Sequence, residues 1–171
     1  GSVAAAGLDQ LQAPILTGTL GKAFGCFGAF IAGSESLVNH LVNEARSYIY
    51  TTAMPPALAA SARAALRRVI TDDWRREKLQ RLIRHFRQGA ASHGLALMPS
   101  DSPIQPMIIG DSQAALDLAA GLQQKGFLVV AMRPPTVRKG TSRLRITLSA
   151  AHEFDQLDAL LDAIVATTFD V

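Results

Sequence analysis

The chain has 171 residues, of which 49% are hydrophobic and 18% charged, with a net charge of +3. Domains cluster near about 100–150 residues, so this length permits one ordinary domain with a real core, and the apolar content excludes intrinsic disorder. The single cysteine, Cys26, excludes an internal disulfide framework and fits a reducing, cytoplasmic setting, while the best apolar run, residues 23–32, is too short and too glycine-interrupted for a membrane span.

The first residues, Gly1-Ser2-Val3, hold neither an initiator methionine nor a basic-then-apolar leader pattern, so the chain is expected to begin inside something longer. Residues 13–17 read as a buried strand running into a glycine-punctuated turn, and residues 27–32 as the returning strand. Ser34 suits the N-cap of a helix over 35–48 that carries Leu37, Leu41, Val42 and Ala45 inward. Residues 50–56 form an extended loop, because proline fixes φ and pushes its predecessor out of the helical region; Pro56 suits the first turn of a helix over 57–70. Thr71-Asp72-Asp73 reads as a break before a helix over 74–93, which Gly94 ends.

Strand signals then return. Residues 104–109 form a strand for which Pro106 implies an edge position or an irregular start, and Asp111 or Ser112 caps a helix over 113–125 that stops at Gly126. Residues 127–132 read as a strand, 133–137 as a rigid proline loop, and 143–148 as a strand burying Leu144, Ile146 and Leu148 on one face, with Arg143 and Arg145 solvated or structural on the other. Ser149 is expected to cap a last helix over 152–167. The order predicts an α/β protein of α+β layer type, with helices on a small, mainly antiparallel sheet.

The basic excess lies between Arg63 and Arg87. Arginines and Lys78 alternate there with Leu66, Val69, Ile70, Leu79, Leu82, Ile83 and Phe86 at three- and four-residue spacing, which predicts one buried stripe and a solvated basic face. No nucleic-acid partner is expected, since only Trp74 and Phe86 interleave as aromatics. No metal is expected either: His40, His85 and His93 sit in helical patterns with no carboxylate or thiol at ligand spacing, His152 fits a helix first turn, and Cys26 reads as packing.

Lys22 is the first residue that points to chemistry. Its surroundings are not a phosphate-binding P-loop, because Leu16 and Ala23 stand where that motif needs glycine and a hydroxyl. What remains is a lysine on a sharp turn between two apolar strands. Burial disfavours an ammonium, and a free amine is the nucleophile that Schiff-base chemistry requires; a lysine snorkelling out of a loop is the plainer alternative.

The run Thr19-Leu20-Gly21-Lys22-Ala23-Phe24-Gly25 resembles the cofactor-lysine motif of the α-oxoamine synthases, pyridoxal-phosphate enzymes of aspartate-aminotransferase fold (fold type I). Three further stretches agree in the family's order: Tyr50-Thr51-Thr52-Ala53-Met54-Pro55-Pro56, Arg133-Pro134-Pro135-Thr136-Val137, and Gly140 to Ile146 followed by Ser149-Ala150-Ala151-His152. The resemblance implies pyridoxal 5′-phosphate as cofactor, with Lys22 as the Schiff-base lysine and Thr19 a hydroxyl on the cofactor phosphate. It implies that Thr52 reaches the phosphate held by a partner subunit, hence a homodimer, and that Arg133 pairs with the amino-acid carboxylate while Thr136 contacts substrate. Within the family, the Arg133–Val137 loop is most similar to that of the branch condensing a pimeloyl thioester, on coenzyme A or an acyl-carrier protein, with L-alanine in biotin biosynthesis. A sister synthase such as glycine C-acetyltransferase is the alternative.

The resemblance also assigns residues 1–55 to the end of the cofactor-binding large domain and 56–171 to the C-terminal small domain. The groups that stack on the cofactor ring and pair with its nitrogen belong to the part of the large domain preceding the lysine, so this chain alone is expected to be inactive, a folding or dimerisation module. The apolar strands 13–17 and 27–32 are expected to pair with another copy, disorder or aggregate.

Overall fold

The computed structural model describes residues 1–169, which divide into two compact units, Gly1–Asp72 and the chain from Asp73 onward. The sequence places its boundary after residue 55; by contacts, the helix that follows groups with the first unit instead.

Unit 1 contains α1 (Ser2–Ala5), β1 (Leu16–Thr19), β2 (Ala29–Ala32), α2 (Glu35–Glu44), α3 (Arg46–Ile49) and α4 (Pro56–Thr71). β1 and β2 pair antiparallel from Leu16↔Ala32 to Thr19↔Ala29. A Cβ at Gly18 would lie 2.6 Å from the ring of Phe30, its partner in this pairing, so any larger residue there would push that ring aside. The two strands are not buried as expected: Ile15, Leu16, Phe27 and Ile31 are all exposed. A two-stranded ribbon offers too little surface to enclose both of its faces. Every buried apolar side chain among the described residues lies in unit 2.

Ser34 caps α2 by accepting from the Leu37 N–H at 3.3 Å. The expected single helix over 35–48 is broken at Ala45, which adopts ψ 105° while its N–H still reaches the Leu41 carbonyl. Its own carbonyl then accepts from Tyr48 and Ile49 and starts α3. Val42, expected inside, is exposed. α4 begins at Pro56 behind an extended Pro55, as proline chemistry requires. Its apolar residues Leu66, Val69 and Ile70 are exposed, so the buried stripe predicted across 63–87 belongs only to the helix after Asp72.

Unit 2 contains α5 (Asp73–Ser92), β3 (Ile104–Gly110), α6 (Ser112–Gln124), β4 (Val130–Met132), β5 (Ser142–Thr147) and α7 (Phe154–Phe169). The sheet is antiparallel in the order β3-β5-β4, so β3 takes an edge, as Pro106 indicates; the isolated bridge Leu97↔Met107 lies beside it. β5 is central and alternates as predicted, with Leu144 and Ile146 buried and Arg145 exposed. The core joins them to Leu82, Ile83 and Phe86 of α5, Leu118 and Leu122 of α6, and Leu157, Leu161 and Ile164 of α7. Burying each such side chain contributes about 1.5–3 kcal/mol, which makes this layer the stable part of the chain.

Two expectations fail in unit 2. The strand over 127–132 shortens to Val130–Met132, and Leu128 is 85% exposed. Ser149 does not cap α7: its hydroxyl accepts from the Ala151 N–H, and the helix starts at Phe154 after Glu153 donates its N–H to Gln156 Oε1. The Ser149 N–H donates to His152 Nδ1 at 3.2 Å, which closes a local turn, while the reciprocal partner at the helix start is Gln156, two residues beyond the position that a helix beginning at 152 would need.

Candidate active site

β1 delivers the chain into the turn that carries Lys22. The Leu20 N–H donates to the Gly28 carbonyl at 2.8 Å, the Cys26 N–H to the Leu20 carbonyl at 2.8 Å, and the Gly25 N–H to the Lys22 carbonyl at 2.9 Å. Gly25 (φ 59°) and Gly28 (φ 106°) turn the backbone through the left-handed region that side-chain-bearing residues avoid. These bonds fix the backbone and leave the lysine side chain outside. Lys22 is exposed, not buried as the turn's apolar flanks suggest, and makes no ion pair or side-chain hydrogen bond among the described residues. Thr19, at the end of β1, is also exposed and three residues from the lysine.

The segment carrying Thr52 meets the same turn. A Cβ on Gly28 would lie 2.8 Å from Met54 Sδ and 3.9 Å from Leu20 Cδ1, so Met54 and Leu20 lie together over that glycine. Cys26 Sγ donates to the Leu58 carbonyl in the first turn of α4 at 3.3 Å. Thr52, two residues before Met54, is exposed. The structure therefore brings Thr19 and Lys22 onto one turn and seats the Thr52 segment against it. The donor set suits a phosphorylated aldehyde: a primary amine for the carbonyl, and hydroxyls for the phosphate.

In unit 2, the loop after β4 presents Arg133 and Thr136, both exposed. The Arg133 carbonyl accepts from Thr136 N–H at 3.0 Å and Val137 N–H at 3.4 Å, which folds the loop back on itself. Thr141 Oγ1 donates to the Arg138 carbonyl, and Arg143 donates from Nε to the Thr141 carbonyl and from Nη2 to Thr141 Oγ1, so the far side of the loop is tied to β5. Arg143 is thus structural. The exposed guanidinium of Arg133 is planar and forked, the geometry that pairs a carboxylate through two hydrogen bonds.

The basic face of α5 is largely engaged. Arg76 pairs with Asp73, Lys78 with Glu153, Arg75 stacks on Trp74, and Arg87 turns inward to Gln105 and the Met98 carbonyl. His85 faces Asp158 at 2.6 Å and His93 faces Asp162 at 3.9 Å, carboxylates that sequence spacing misses because they lie on α7. Among the described residues no group of three or more such ligands could hold a metal ion, and no helix is long and apolar enough to cross a membrane. The contact of Met54 with the lysine turn and that of Cys26, within the turn, with Leu58 carry no sequence signal, since neither residue type marks such a role.

The model of the family described as aminotransferase class I and II matches residues 2–164. The 8-amino-7-oxononanoate synthase of Nitrosococcus oceani is 57% identical over 165 residues, covering 96% of this chain and 44% of that protein. That of Cellvibrio japonicus is 58% identical over 158 residues, covering 92% of this chain and 40% of the relative. Among solved structures, the 8-amino-7-oxononanoate synthase of Francisella tularensis superposes with a TM-score of 0.85 at 29% identity, covering 99% of this chain and 50% of that one. A serine palmitoyltransferase from S. paucimobilis, solved with a pyridoxal-phosphate–myriocin adduct, gives 0.88 at 27%, covering 99% and 43%. The chain belongs to the aminotransferase class I and II family and has its fold-type-I architecture. It spans less than half the length of the curated relatives it matches.

Proposed function

We propose that the protein is an 8-amino-7-oxononanoate synthase: a cytoplasmic, homodimeric, pyridoxal-phosphate-dependent acyltransferase that condenses a pimeloyl thioester with L-alanine. The 57–58% identity to synthases of that name carries the reading. The sister reading, a synthase using glycine or serine, has weaker support, since the serine palmitoyltransferase likeness stands at 27% identity. The acyl carrier is coenzyme A or a carrier protein. Residues 1–55 are the end of the large domain and 56–171 the small domain.

Bound pyridoxal phosphate supplies the electron sink that makes the alanine α-carbon acidic. Lys22 would hold the cofactor through its ε-amine and would move the proton at the alanine α-carbon. Its exposure on a backbone-fixed turn supports this role, because the amine must reach both carbonyl carbon and proton. Thr19 donates to the cofactor phosphate, and Thr52 to the phosphate in the partner subunit. Arg133 pairs with the alanine carboxylate and so orients the α-carbon, with Thr136 beside it on the same loop. The new C–C bond joins the thioester carbonyl carbon to the α-carbon, while the thiol and then carbon dioxide leave.

The test is a visible spectrum of the full-length protein with added pyridoxal phosphate, followed by turnover of pimeloyl thioester with alanine or glycine. A band absent from Lys22→Ala and a preference for alanine are expected. A band that survives Lys22→Ala, or a preference for glycine, would overturn the assignment. The 171-residue chain alone is expected to show no turnover.

A further inference from the structure

We infer that Met54 and Cys26 are positioning residues that tether the Lys22 turn to the segment carrying Thr52, so that amine and hydroxyl are set by one rigid piece of backbone; this rests on the reading of Lys22 as the cofactor lysine. Two contacts make the case. Met54 reaches back over Gly28, where the missing Cβ leaves just enough room for its sulfur: a methyl group would come within 2.8 Å. Leu20, whose backbone closes the turn onto Gly28, shares that site. Cys26, whose N–H bonds back to the Leu20 carbonyl, sends its thiol to the Leu58 carbonyl at 3.3 Å.

The second contact has a structural rationale of its own. Leu58 lies in the first turn of α4, just after Pro55 and Pro56. Residues 54 to 58 are thus stiffened by two prolines and fastened to the lysine turn at each end. Thr52 sits just before the first fastening. Without the tether, the exposed loop at 50–55 and the exposed lysine turn would each sample their own conformations, and the amine for one cofactor and the hydroxyl for the partner subunit's cofactor would be ordered separately at the moment of binding.

Methionine suits the first contact because its unbranched thioether fits beside a bare backbone, and leucine is the volume-conserving replacement. The thiol is a weak donor, which serine reproduces and alanine does not.

The test uses the full-length protein loaded with pyridoxal phosphate, comparing Met54→Ala, Met54→Leu, Cys26→Ala and Cys26→Ser with the parent and with Lys22→Ala. The readouts are the wavelength of the Lys22-dependent visible band, the rate of cofactor loss on dilution, and the thermal midpoint. Met54→Ala is expected to shift the band and lose cofactor about tenfold faster, equivalent to about 1.4 kcal/mol, with Met54→Leu restoring both. Cys26→Ala moves the same readouts in the same direction, and Cys26→Ser restores them. Parent-like band and loss rate in both alanine variants would overturn the tether, even with a lowered thermal midpoint. A parent protein with no Lys22-dependent band would instead overturn the reading of Lys22, and the tether with it.

Discussion

The Arg87 guanidinium donates from Nη1 to Oε1 of Gln105 at 2.7 Å, and Gln105 is wholly excluded from solvent. The amide nitrogen of the same glutamine donates to the Ser100 and Ser102 carbonyls at 3.2 and 2.7 Å, while Arg87 also reaches the Met98 carbonyl. One buried amide therefore satisfies both a helix cation and the loop leading into β3. Gln105→Leu conserves volume but removes a partner from the two carbonyls and from one arginine donor, and a typical hydrogen bond contributes about 0.5–1.5 kcal/mol net. A fall in the urea midpoint of this order is expected; an unchanged midpoint would show that water replaces the amide without cost.

Gly121 on α6 faces α7, and a Cβ there would lie 2.6 Å from Thr167 Cγ2. Alanine would improve helix propensity by about 0.8–1.0 kcal/mol. Thr167 cannot swing aside freely, because its hydroxyl bonds the Ala163 carbonyl at 2.7 Å and a β-branched side chain has few rotamers. Overpacking costs about 1–3 kcal/mol. The clash wins, so Gly121→Ala should lower the thermal midpoint, and Gly121→Ala combined with Thr167→Ser, which removes the blocking methyl, should recover most of the loss.

Asp111 caps α6 by accepting from the Gln113 and Ala114 N–H groups at 2.8 and 2.9 Å. The bond from Ala114 lowers it most, desolvation opposes as the next largest effect, and the bonds from Gln113 and Ser112 add to the lowering, so the carboxyl stays below the ordinary value of 3.8. A carboxyl with a depressed folded pKa binds its proton more weakly than the unfolded chain does, so its contribution is present above the unfolded value and disappears as pH falls through the folded one. Asp111→Asn keeps the acceptor but does not titrate. The stability gap between parent and variant should be constant at neutral pH and change only below pH 3.8; a gap that changes between pH 5 and 8 would assign the effect to another group.

These cases mark where sequence reasoning succeeds and stops. Ser34, Pro56, Gly94 and Gly126 were readable because caps and breaks depend on the residue itself and its near neighbours. Leu144, Ile146 and Leu148 were readable because a strand with one buried face must alternate. The pairs Arg87–Gln105 and His85–Asp158 were not, since they join residues 18 and 73 apart, on α5 and β3 and on α5 and α7, that only tertiary packing brings together. The exposure of Leu66, Val69 and Ile70 was invisible for a related reason: periodicity identifies a face but not whether anything covers it. At the candidate site, the motif located Lys22 and Arg133, whereas Met54 and Cys26 emerge only from the shape of the turn.

Arg133 provides the sharpest test of the proposed chemistry. Its loop is closed by bonds from Thr136 and Val137 to its own carbonyl, so changing the side chain leaves the backbone scaffold intact. Arg133→Lys keeps the charge but loses the planar fork that grips a carboxylate at both oxygens. A hydrogen bond to a charged group is worth about 1.5–3 kcal/mol, which corresponds to about 10–100-fold in affinity. In the full-length protein, KM for L-alanine should rise by that factor, while KM for the thioester and the Lys22-dependent visible band stay near the parent values. A parent-like KM for alanine would remove Arg133 from carboxylate recognition, and a lost visible band would place it at the cofactor instead.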